Sequence, residues 1–220
     1  MSYIDFVTSV HKATKRNYLE RMTEKKPEII KLAKKYDFDY WDGSRETGYG
    51  GFYYDGRWRP VAERIAEYYN LKPYSRVLDV GCGKGFLVYE LMQVVPGMKV
   101  NGIDISAYAI EHAKEEVKDY VIFGVAQNLP YKSDFFDLVI SLTTLHNLYL
   151  YDFKKAIQEI ERVKKKDSYI TVEAYRNERE KFNMMCWVLT GESFFHVKEW
   201  EFLFKEFGYT GDHGFIFFSD

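Results

Sequence analysis

Cysteine and long apolar runs are scarce in this sequence. Its 220 residues include two cysteines, Cys82 and Cys186, which form neither a metal-ligand spacing nor a disulfide framework. We therefore expect reduced thiols, no metal site and a cytoplasmic location. No apolar run approaches the length of a membrane span, and the first residues lack the basic region and the apolar core of a signal peptide. These absences predict that the protein has no membrane partner.

An excess of basic residues is also missing. The 31 basic and 33 acidic residues give a formal net charge of −2, whereas a broad nucleic-acid footprint needs a concentrated positive surface. We expect no DNA partner, although a few arginines would still suffice to hold an RNA or nucleotide acceptor. Hydrophobic residues make up 46% of the chain, enough for a sizeable core in one α/β domain. The expected state is a monomer or a homodimer.

Aromatic residues, by contrast, are abundant, and many precede residue 60. Residues 3–36 are predicted to be helical, in two basic amphipathic stretches that either pack over the core or form a lid over the active site. Residues 37–58 are too rich in glycine and aromatics for a regular element and predict a loop. We assign residues 1–59 to an N-terminal helical cap with an aromatic lid loop, and residues 60–220 to the core of the same domain.

Strand and helix patterns alternate after Pro60, which opens a helix. The predicted strands are 76–80, 99–104, 120–124, 136–141 and 168–174, and the predicted helices lie near 86–94, 106–118 and 152–165. This alternation predicts the α/β class with a doubly wound, mostly parallel sheet. The chain then continues as a helical stretch to about residue 189, a helix near 197–207 and a last strand at 215–218.

The clearest motif is a glycine-spaced turn after the first of these strands. Gly81, Gly83 and Gly85 follow an apolar strand that contains Asp79. A parallel strand that runs into glycine lets the backbone pass close to a nucleotide, with a helix N-terminus facing the ligand. A dinucleotide site would need glycine at position 86, where this chain has Phe86. The turn therefore predicts a nucleotide cradle of another kind.

The run D-x-G-x-G-x-G resembles the first motif of class I S-adenosylmethionine (SAM)-dependent methyltransferases. Asp104 ends the second strand and matches the acid with which those enzymes hold the ribose hydroxyls, because a carboxylate accepts from both hydroxyls. The resemblance implies a Rossmann-like fold with SAM as the cofactor. The cofactor-binding residues implied so far are Asp79, Gly81, Cys82, Gly83, Asp104, Ile105 and Leu142. Cys82 is otherwise read as a small residue that fits against the following helix.

Two later segments also resemble this family. Residues 124–130 are similar to its G-D-A-x-x-L-P motif, and residues 136–141 are similar to its F-D-x-V motif. The family's aspartate usually contacts the adenine amino group, but this chain has Val125 there. The resemblance then implies that the Ala126 backbone holds the adenine, with Gln127 or Asn128 supplying a polar side chain. The alternative is an ordinary turn before an exposed loop.

His146 is the predicted catalytic base. It follows the fourth strand at the rim above the methyl donor, where open α/β sheets bind ligands, and histidine titrates near neutral pH. The alternative is a hydrogen-bonded structural histidine between leucines. Asn147 either orients the His146 ring or binds the acceptor.

Two further segments are predicted to bind the acceptor. Glu173, Tyr175 and Arg176 leave the fifth strand, where a carboxylate and a guanidinium would clamp a sugar hydroxyl and a phosphate. The alternative is an ion pair between Glu173 and Arg176 that closes the strand–helix turn.

The loop over residues 49–59 adds Tyr49, Tyr54 and Arg57 as predicted acceptor contacts. Its glycines favour a lid that closes over cofactor and acceptor. Plain hydrophobic packing of its aromatic residues is the alternative.

These segments together resemble a bacterial methyltransferase group associated with surface-polysaccharide biosynthesis. The resemblance implies O-methylation of a small-molecule acceptor, a sugar or a phosphate-bearing, nucleotide-activated intermediate. An N-methyltransferase of a small molecule or RNA, and a SAM-binding regulatory protein without transferase activity, remain alternatives. In the family, the last two strands form a hairpin. For this chain two arrangements remain: residues 193–196 form a displaced strand, or the sheet is one strand short.

Overall fold

The fold is built on one sheet whose strands alternate with helices. The structure, a computed structural model, describes residues 1–12 and 16–219. The strands are β1 (Arg76–Val80), β2 (Lys99–Asp104), β3 (Val121–Phe123), β4 (Phe136–Leu142), β5 (Lys164–Tyr175), β6 (Phe195–His196) and β7 (Asp212–Ile216). The helices are α1 (Thr8–Lys12), α2 (Lys26–Ala33), α3 (Phe38–Trp41), α4 (Arg59–Tyr68), α5 (Phe86–Val94), α6 (Ala107–Glu111), α7 (Leu150–Val163), α8 (Glu178–Trp187) and α9 (Val197–Glu206).

The strand order marks the expected position of a ligand site. The order is β3-β2-β1-β4-β5, and both β6 and β7 pair with β5. Each of these described pairings is parallel. The chain changes direction across the sheet between β1 and β4, which pair directly. Ligands of open parallel sheets bind beyond the carboxyl ends of the strands at such a point, so the residues after Val80 and Leu142 are the ones to consider.

The core lies on both faces of this sheet. Leu138 and Ile140 of β4 pack in one apolar cluster with residues of α4 and α5, and Val139 packs in a second cluster with residues of α7. Successive side chains of a strand point to opposite faces. A strand covered on both faces therefore reads as a continuous apolar run, which is how residues 136–142 look in the sequence.

The predicted elements of the core are largely confirmed. The strands expected at 76–80 and 99–104 and the helix expected at 86–94 have the predicted bounds. The helix expected over 106–118 is instead divided into α6 and a 3-10 segment, Glu115–Tyr120. The division has a local cause, because the Lys114 N–H donates to the Lys84 carbonyl at 3.0 Å and leaves the helical ladder.

The helical prediction for residues 3–36 is wrong over most of its length. Of the described residues in this stretch, α1 and α2 alone are α-helical, and residues 13–15 lie outside the described part. Tyr3 forms a parallel bridge with His213, and Phe6 and Val7 are buried in the core. Pairing with β7 and burial of these apolar residues override the amphipathic pattern. The short helix α3 likewise lies within the predicted loop 37–58.

The C-terminal strands follow one of the two predicted arrangements. The displaced strand is present as β6, which pairs with Ala174 and Tyr175 at the end of β5. The last strand, β7, begins at Asp212 instead of residue 215 and runs parallel to β5. No hairpin between β6 and β7 is among the described strand pairings.

Neither a membrane helix nor a metal cluster is found within residues 1–12 and 16–219. None of their helices has both the length and the apolar character that a bilayer crossing requires. None of their histidine, cysteine and acidic side chains form a group of three that could hold a metal ion.

Candidate active site

The glycine turn after β1 is shaped by contacts that exclude a side chain. Gly81 has a φ of 86°, and a Cβ placed on it would lie 2.1 Å from Thr144 Oγ1. Gly83 has a φ of 53°, and its Cβ would lie 2.9 Å from the Trp41 ring. Glycine alone combines a left-handed backbone with the absence of a Cβ at little cost. Both positions therefore require it.

Two buried carboxylates border this turn. Asp104 accepts hydrogen bonds from the Gly83 N–H at 2.7 Å and from the Ser106 N–H at 2.8 Å. Burial raises the pKa of Asp104 against the effect of these two bonds. Burial also raises the pKa of Asp79 to about 7, and the nearby Asp104 charge adds to that rise. None of the salt bridges in the described chain involves either carboxylate.

Aromatic residues of the loop before α4 cover the turn. The buried Trp41 donates from Nε1 to Ser106 Oγ at 2.9 Å, and its ring stacks on Tyr49. Phe52 stacks on Phe86, with the ring centroids 5.0 Å apart. Aromatic pairs contribute about 0.5–1.5 kcal/mol each beyond their burial. In this structure the predicted lid loop therefore packs against the glycine turn. This agrees with the alternative of plain hydrophobic packing of its aromatic residues.

A buried ion pair holds the same loop in place. Lys84 Nζ lies 2.6 Å from Asp42 Oδ2, and the two side chains are only 5% and 12% exposed. The Tyr108 hydroxyl and the Phe52 N–H donate to the same carboxylate. Burial acts to raise the pKa of Asp42, but the hydrogen bonds from Lys84, Phe52 and Tyr108 outweigh it and hold that pKa below its usual value. Asp42 therefore stays charged and fixes the loop to the glycine turn.

The smaller of two adjoining cavities lies at this turn and has a volume of about 210 Å³. Most of the predicted cofactor-binding residues line it, namely Asp79, Gly81, Cys82, Gly83, Asp104, Ile105 and Leu142. The structure places Ala126, Gln127 and Asn128 outside its wall. The adenine contacts implied for these residues are therefore not formed by the cavity as it stands.

Most of the aromatic residues in the wall of the smaller cavity were not predicted as site residues. Side chains from residues 36–58 complete it, namely Tyr36, Tyr40, Trp41, Tyr49, Phe52 and Trp58. Of these, only Tyr49 was a predicted site residue, as an acceptor contact. The available signal was the aromatic density of this segment, which predicted a loop without saying which ligand it covers.

The larger cavity has a volume of about 440 Å³ and shares a wall with the smaller one. The residues that line both are Tyr40, Tyr49, Phe52, Trp58, Thr143 and Asn147. The larger cavity also contains the predicted residues His146, Glu173 and Arg57. The structure thus places most of the predicted cofactor residues in one space and four of the seven predicted acceptor residues in the adjacent one.

His146 and Glu173 form a buried pair in the larger cavity. His146 Nε2 lies 3.3 Å from Glu173 Oε2, and His146 Nδ1 accepts a long hydrogen bond of 3.4 Å from the Glu173 N–H. Because Nδ1 accepts, the neutral ring carries its proton on Nε2. Burial lowers the pKa of His146 to about 3. Burial raises the pKa of Glu173 to about 8, against the charge of Arg16.

Two buried oxygen atoms at this cavity have no hydrogen-bond partner in the described chain. They are Glu173 Oε2 and Asn147 Oδ1. An unpaired buried polar atom costs about 1–3 kcal/mol, so each marks a place where a bound group is expected to donate or accept. Thr143, just after β4, has a φ of 54°, and such strain in a β-branched residue is typical of functional sites.

Tyr54 and Arg57, two predicted acceptor contacts, form hydrogen bonds with other residues of the chain. The Tyr54 hydroxyl donates to Glu90 Oε1 at 2.6 Å, which raises the pKa of Tyr54 to about 12. Tyr54 lines neither cavity, so its predicted contact with the acceptor is not supported. Arg57 does line the larger cavity, but its Nε donates to Asp55 at 2.7 Å. That ion pair already neutralises its charge.

Tyr175 and Arg176 also lie outside both cavities. Arg176 forms an ion pair with Glu180, and its guanidinium lies 3.9 Å from the Phe217 ring centroid. Tyr175 packs edge-on against His196. The predicted anion clamp at Arg176 is therefore wrong for this structure. An ion pair does close the turn after β5, with Glu180 as the partner instead of Glu173.

Comparison with known proteins bears on this arrangement. A family model described as a methyltransferase domain matches residues 71–209. The tRNA (carboxymethyluridine(34)-5-O)-methyltransferase of Arabidopsis thaliana is 32% identical over 146 residues, 66% of this chain and 34% of that protein. The mitochondrial arginine-hydroxylase NDUFAF5 of Mus musculus is 31% identical over 110 residues, 49% of this chain and 31% of that protein. The chain thus spans about a third of the length of these curated relatives.

Solved structures share the same architecture. The YcgJ protein from Bacillus subtilis aligns over 66% of either chain, with a TM-score of 0.54 and 21% sequence identity. At this identity the likeness concerns the fold alone. It agrees with a doubly wound, mostly parallel sheet.

Proposed function

Because the chain belongs to the methyltransferase domain family, whose members take the methyl group from SAM, we propose that it methylates a hydroxyl oxygen of a small polar acceptor. The acceptor class is a sugar or a phosphate-bearing, nucleotide-activated intermediate. The observation that carries this proposal is the buried Glu173 carboxyl in the larger cavity, whose Oε2 has no hydrogen-bond partner in the described chain. A hydroxyl loses its proton as it is methylated, so a base at this position is useful.

The residues of the smaller cavity fit SAM. The donor carries positive charge on its sulfonium and ammonium groups, and Asp79 and Asp104 provide buried carboxylates for it. Asp104 has lone pairs left for ribose hydroxyls beyond its two backbone bonds. When bound, SAM supplies an already activated methyl group. The remaining tasks of this chain are to align the acceptor and to exclude water.

Glu173 is the better base of the buried pair. Its pKa of about 8 lies near the pH at which a general base is most effective. His146 has a pKa of about 3, and its Nδ1 is occupied by the Glu173 N–H. We therefore assign the acceptor proton to Glu173 Oε2. His146 takes a positioning role, in which its Nε2 faces the Glu173 carboxyl.

Asn147 is suited to orient the acceptor. It lines both cavities, and its Oδ1 has no partner in the described chain. An acceptor hydroxyl that donates to this oxygen would be held where the two cavities meet. Tyr49 and Phe52 line both cavities as well and would keep water from that point.

The identity of the acceptor is supported by two observations. Within the part of the chain that the structure describes, four arginines and a single acidic residue, Glu173, line the larger cavity, which favours an anionic molecule. The Arabidopsis thaliana relative is named for methylation at oxygen, and its tRNA substrate makes RNA the second candidate acceptor. A role in surface-polysaccharide biosynthesis rests on the resemblance of the segments around Tyr49, His146 and Glu173.

The test is turnover of the Glu173→Gln variant. A panel of sugar nucleotides, phosphorylated sugars and small RNAs is first screened for release of S-adenosylhomocysteine, and the methylated atom is located by NMR. With the acceptor so found, Glu173→Gln should lower kcat by about 10²–10⁴-fold, because general-base catalysis contributes that much. SAM binding, measured by calorimetry, should not change.

Glu67→Gln is the matched control, since Glu67 is exposed on α4. It should keep the full rate. Unchanged turnover in Glu173→Gln would remove Glu173 as the base. SAM binding without transfer to any member of the panel would favour a regulatory SAM-binding protein, and methylation at nitrogen would overturn the hydroxyl assignment.

A further inference from the structure

Three guanidinium groups surround one tryptophan in the larger cavity. The Cζ atoms of Arg16, Arg21 and Arg45 lie 5.3, 4.4 and 5.3 Å from the Trp187 ring centroid. All four residues line the cavity. A guanidinium is attracted to the face of an indole ring, but three positive charges around one ring also repel each other. An anion bound among these groups would relieve that repulsion.

Arg21 and Arg45 have no carboxylate partner in the described chain. Arg21 donates to the Arg45 carbonyl at 3.1 Å and to the Glu46 carbonyl at 3.5 Å. Arg45 donates to the Gly48 and Tyr49 carbonyls at 3.0 and 3.2 Å. Arg21 Nε is buried and has no hydrogen-bond partner among the described residues. These contacts hold the two side chains in position without neutralising their charge.

Several other arginines of this chain are neutralised by a carboxylate. Arg57 and Arg59 pair with Asp55 and Glu90, and Arg162 pairs with Glu159. Arg57 is the informative case, because it lines the same cavity as Arg21 and Arg45. Among the described arginines that line this cavity, Arg57 thus has a carboxylate partner, whereas Arg21 and Arg45 bind backbone carbonyls.

The electrostatics of the cavity agree with this picture. Burial, together with the charge of Arg45, lowers the pKa of Arg21 to about 10. Burial likewise lowers the pKa of Arg16. Glu173, the acidic residue that lines this cavity, is mostly protonated at neutral pH because burial raises its pKa to about 8. The described cavity therefore carries net positive charge when no ligand is bound.

We propose that Arg16, Arg21 and Arg45, held around Trp187, form a subsite for a phosphate group of the acceptor. The subsite names the acceptor class of the methyl transfer proposed above and rests on that function. A phosphate dianion matches this cluster better than a carboxylate, because it offers more oxygens and more charge for several guanidinium forks. Arg16 and Glu173 line the same cavity, and Arg16 acts electrostatically on Glu173, so a phosphate bound at the cluster would share that cavity with the base.

The test measures phosphate binding without any methyl transfer. Inorganic phosphate and, separately, acetate are titrated by calorimetry into the protein saturated with S-adenosylhomocysteine, at constant ionic strength. We expect phosphate to bind at least about tenfold more tightly than acetate, since each charge-assisted hydrogen bond contributes about 1.5–3 kcal/mol. Arg21→Gln and Arg45→Gln should each weaken phosphate binding by about tenfold or more. Arg21→Lys, which keeps the charge and loses the fork, should fall between Arg21→Gln and the parent protein.

Arg179→Gln is the matched control, because Arg179 is exposed on the same helix as Trp187. It should bind phosphate like the parent protein, and retained S-adenosylhomocysteine binding shows that each variant is folded. Equal binding of phosphate and acetate would overturn the subsite, and so would equal effects of Arg21→Gln and Arg179→Gln.

The two proposals fail separately. If phosphate does not bind specifically but Glu173→Gln still lowers kcat, the proposed methyl transfer is retained and the acceptor is uncharged. Specific phosphate binding together with full turnover of Glu173→Gln would retain the subsite and remove the assigned base.

Discussion

The two cavities of this protein are adjacent but opposite in charge. Among the described residues, the smaller one is lined by the buried acids Asp79 and Asp104 and by no basic residue. The described lining of the larger one has four arginines and a single acid, Glu173. A single sheet edge thus presents one space suited to a cation and one suited to an anion, as a sulfonium donor and a phosphorylated acceptor require.

The two cavities also differ in how the chain builds them. The glycine turn, Asp79 and Asp104 come from two neighbouring strands and the loops directly after them. The larger cavity joins residues from the N-terminal segment, the loop before α4, the ends of β4 and β5, and α8. The first depends on local backbone geometry, and the second depends on long-range packing.

The largest effect is expected from breaking the buried ion pair that anchors the loop lining both cavities. Lys84→Met leaves Asp42 buried without its cation, and removal of one partner of a buried pair costs about 3–5 kcal/mol. The free energy of unfolding in urea should fall by about that amount. SAM binding should weaken together with phosphate binding, because the loop that Asp42 anchors lines both cavities.

Lys155→Met is the control for this loss. Its partner Asp152 is on the surface, and Lys155 is 61% exposed, so the change should stay within about 1 kcal/mol. Equal stability of the two variants would show that the buried pair does not hold the loop.

A smaller effect should separate the cavities. Asp104→Asn removes one charge from the donor side, where charge-assisted hydrogen bonds contribute about 1.5–3 kcal/mol each. Calorimetry should show SAM affinity falling by roughly 10–100-fold, while phosphate affinity stays the same. Asp119→Asn, at an exposed position, should change neither. A parallel loss of phosphate affinity in Asp104→Asn would show that the two cavities are one coupled site.

The smallest effects are pH dependences, which differ between the two sides. Asp79, with a pKa of about 7, loses its attraction for a cationic donor as it is protonated. The SAM dissociation constant should therefore rise as the pH falls below about 7, by at most about tenfold per pH unit. Turnover at saturating substrates should fall below pH 8 with the protonation of Glu173.

Asp79→Asn should flatten the SAM-binding profile and leave the turnover profile in place. If SAM binding and turnover followed the same pH profile, they would not depend on two separate titrating groups. Stability in the absence of ligand has the opposite sign, since the folded pKa of each acid lies above its unfolded value. The free energy of unfolding should therefore fall as the pH rises from about 4 to about 8.

Seven of the ten predicted cofactor residues line the smaller cavity, and four of the seven predicted acceptor residues line the larger one. Gly81, Gly83 and Asp104 could be predicted from the sequence. A turn that excludes a Cβ leaves a local sequence pattern, and so does an acid at the end of a strand. Arg176 was misplaced because its helix partner Glu180, four residues on, competes for the same guanidinium. His146 lines the larger cavity, but a role as base does not fit a ring whose pKa burial lowers to about 3, because such a ring binds a proton only weakly.

Sequence alone thus determined the class of the fold, the strand alternation and the methyl-donor motif, because strand period, glycine φ and motif spacing are properties of neighbouring residues. Tertiary structure alone decided the acceptor side. The cluster of Arg16, Arg21 and Arg45 around Trp187 joins residues distant in the chain, and the pKa of Glu173 follows from burial. Neither leaves a pattern in the sequence, since proximity and desolvation exist only once the chain has folded.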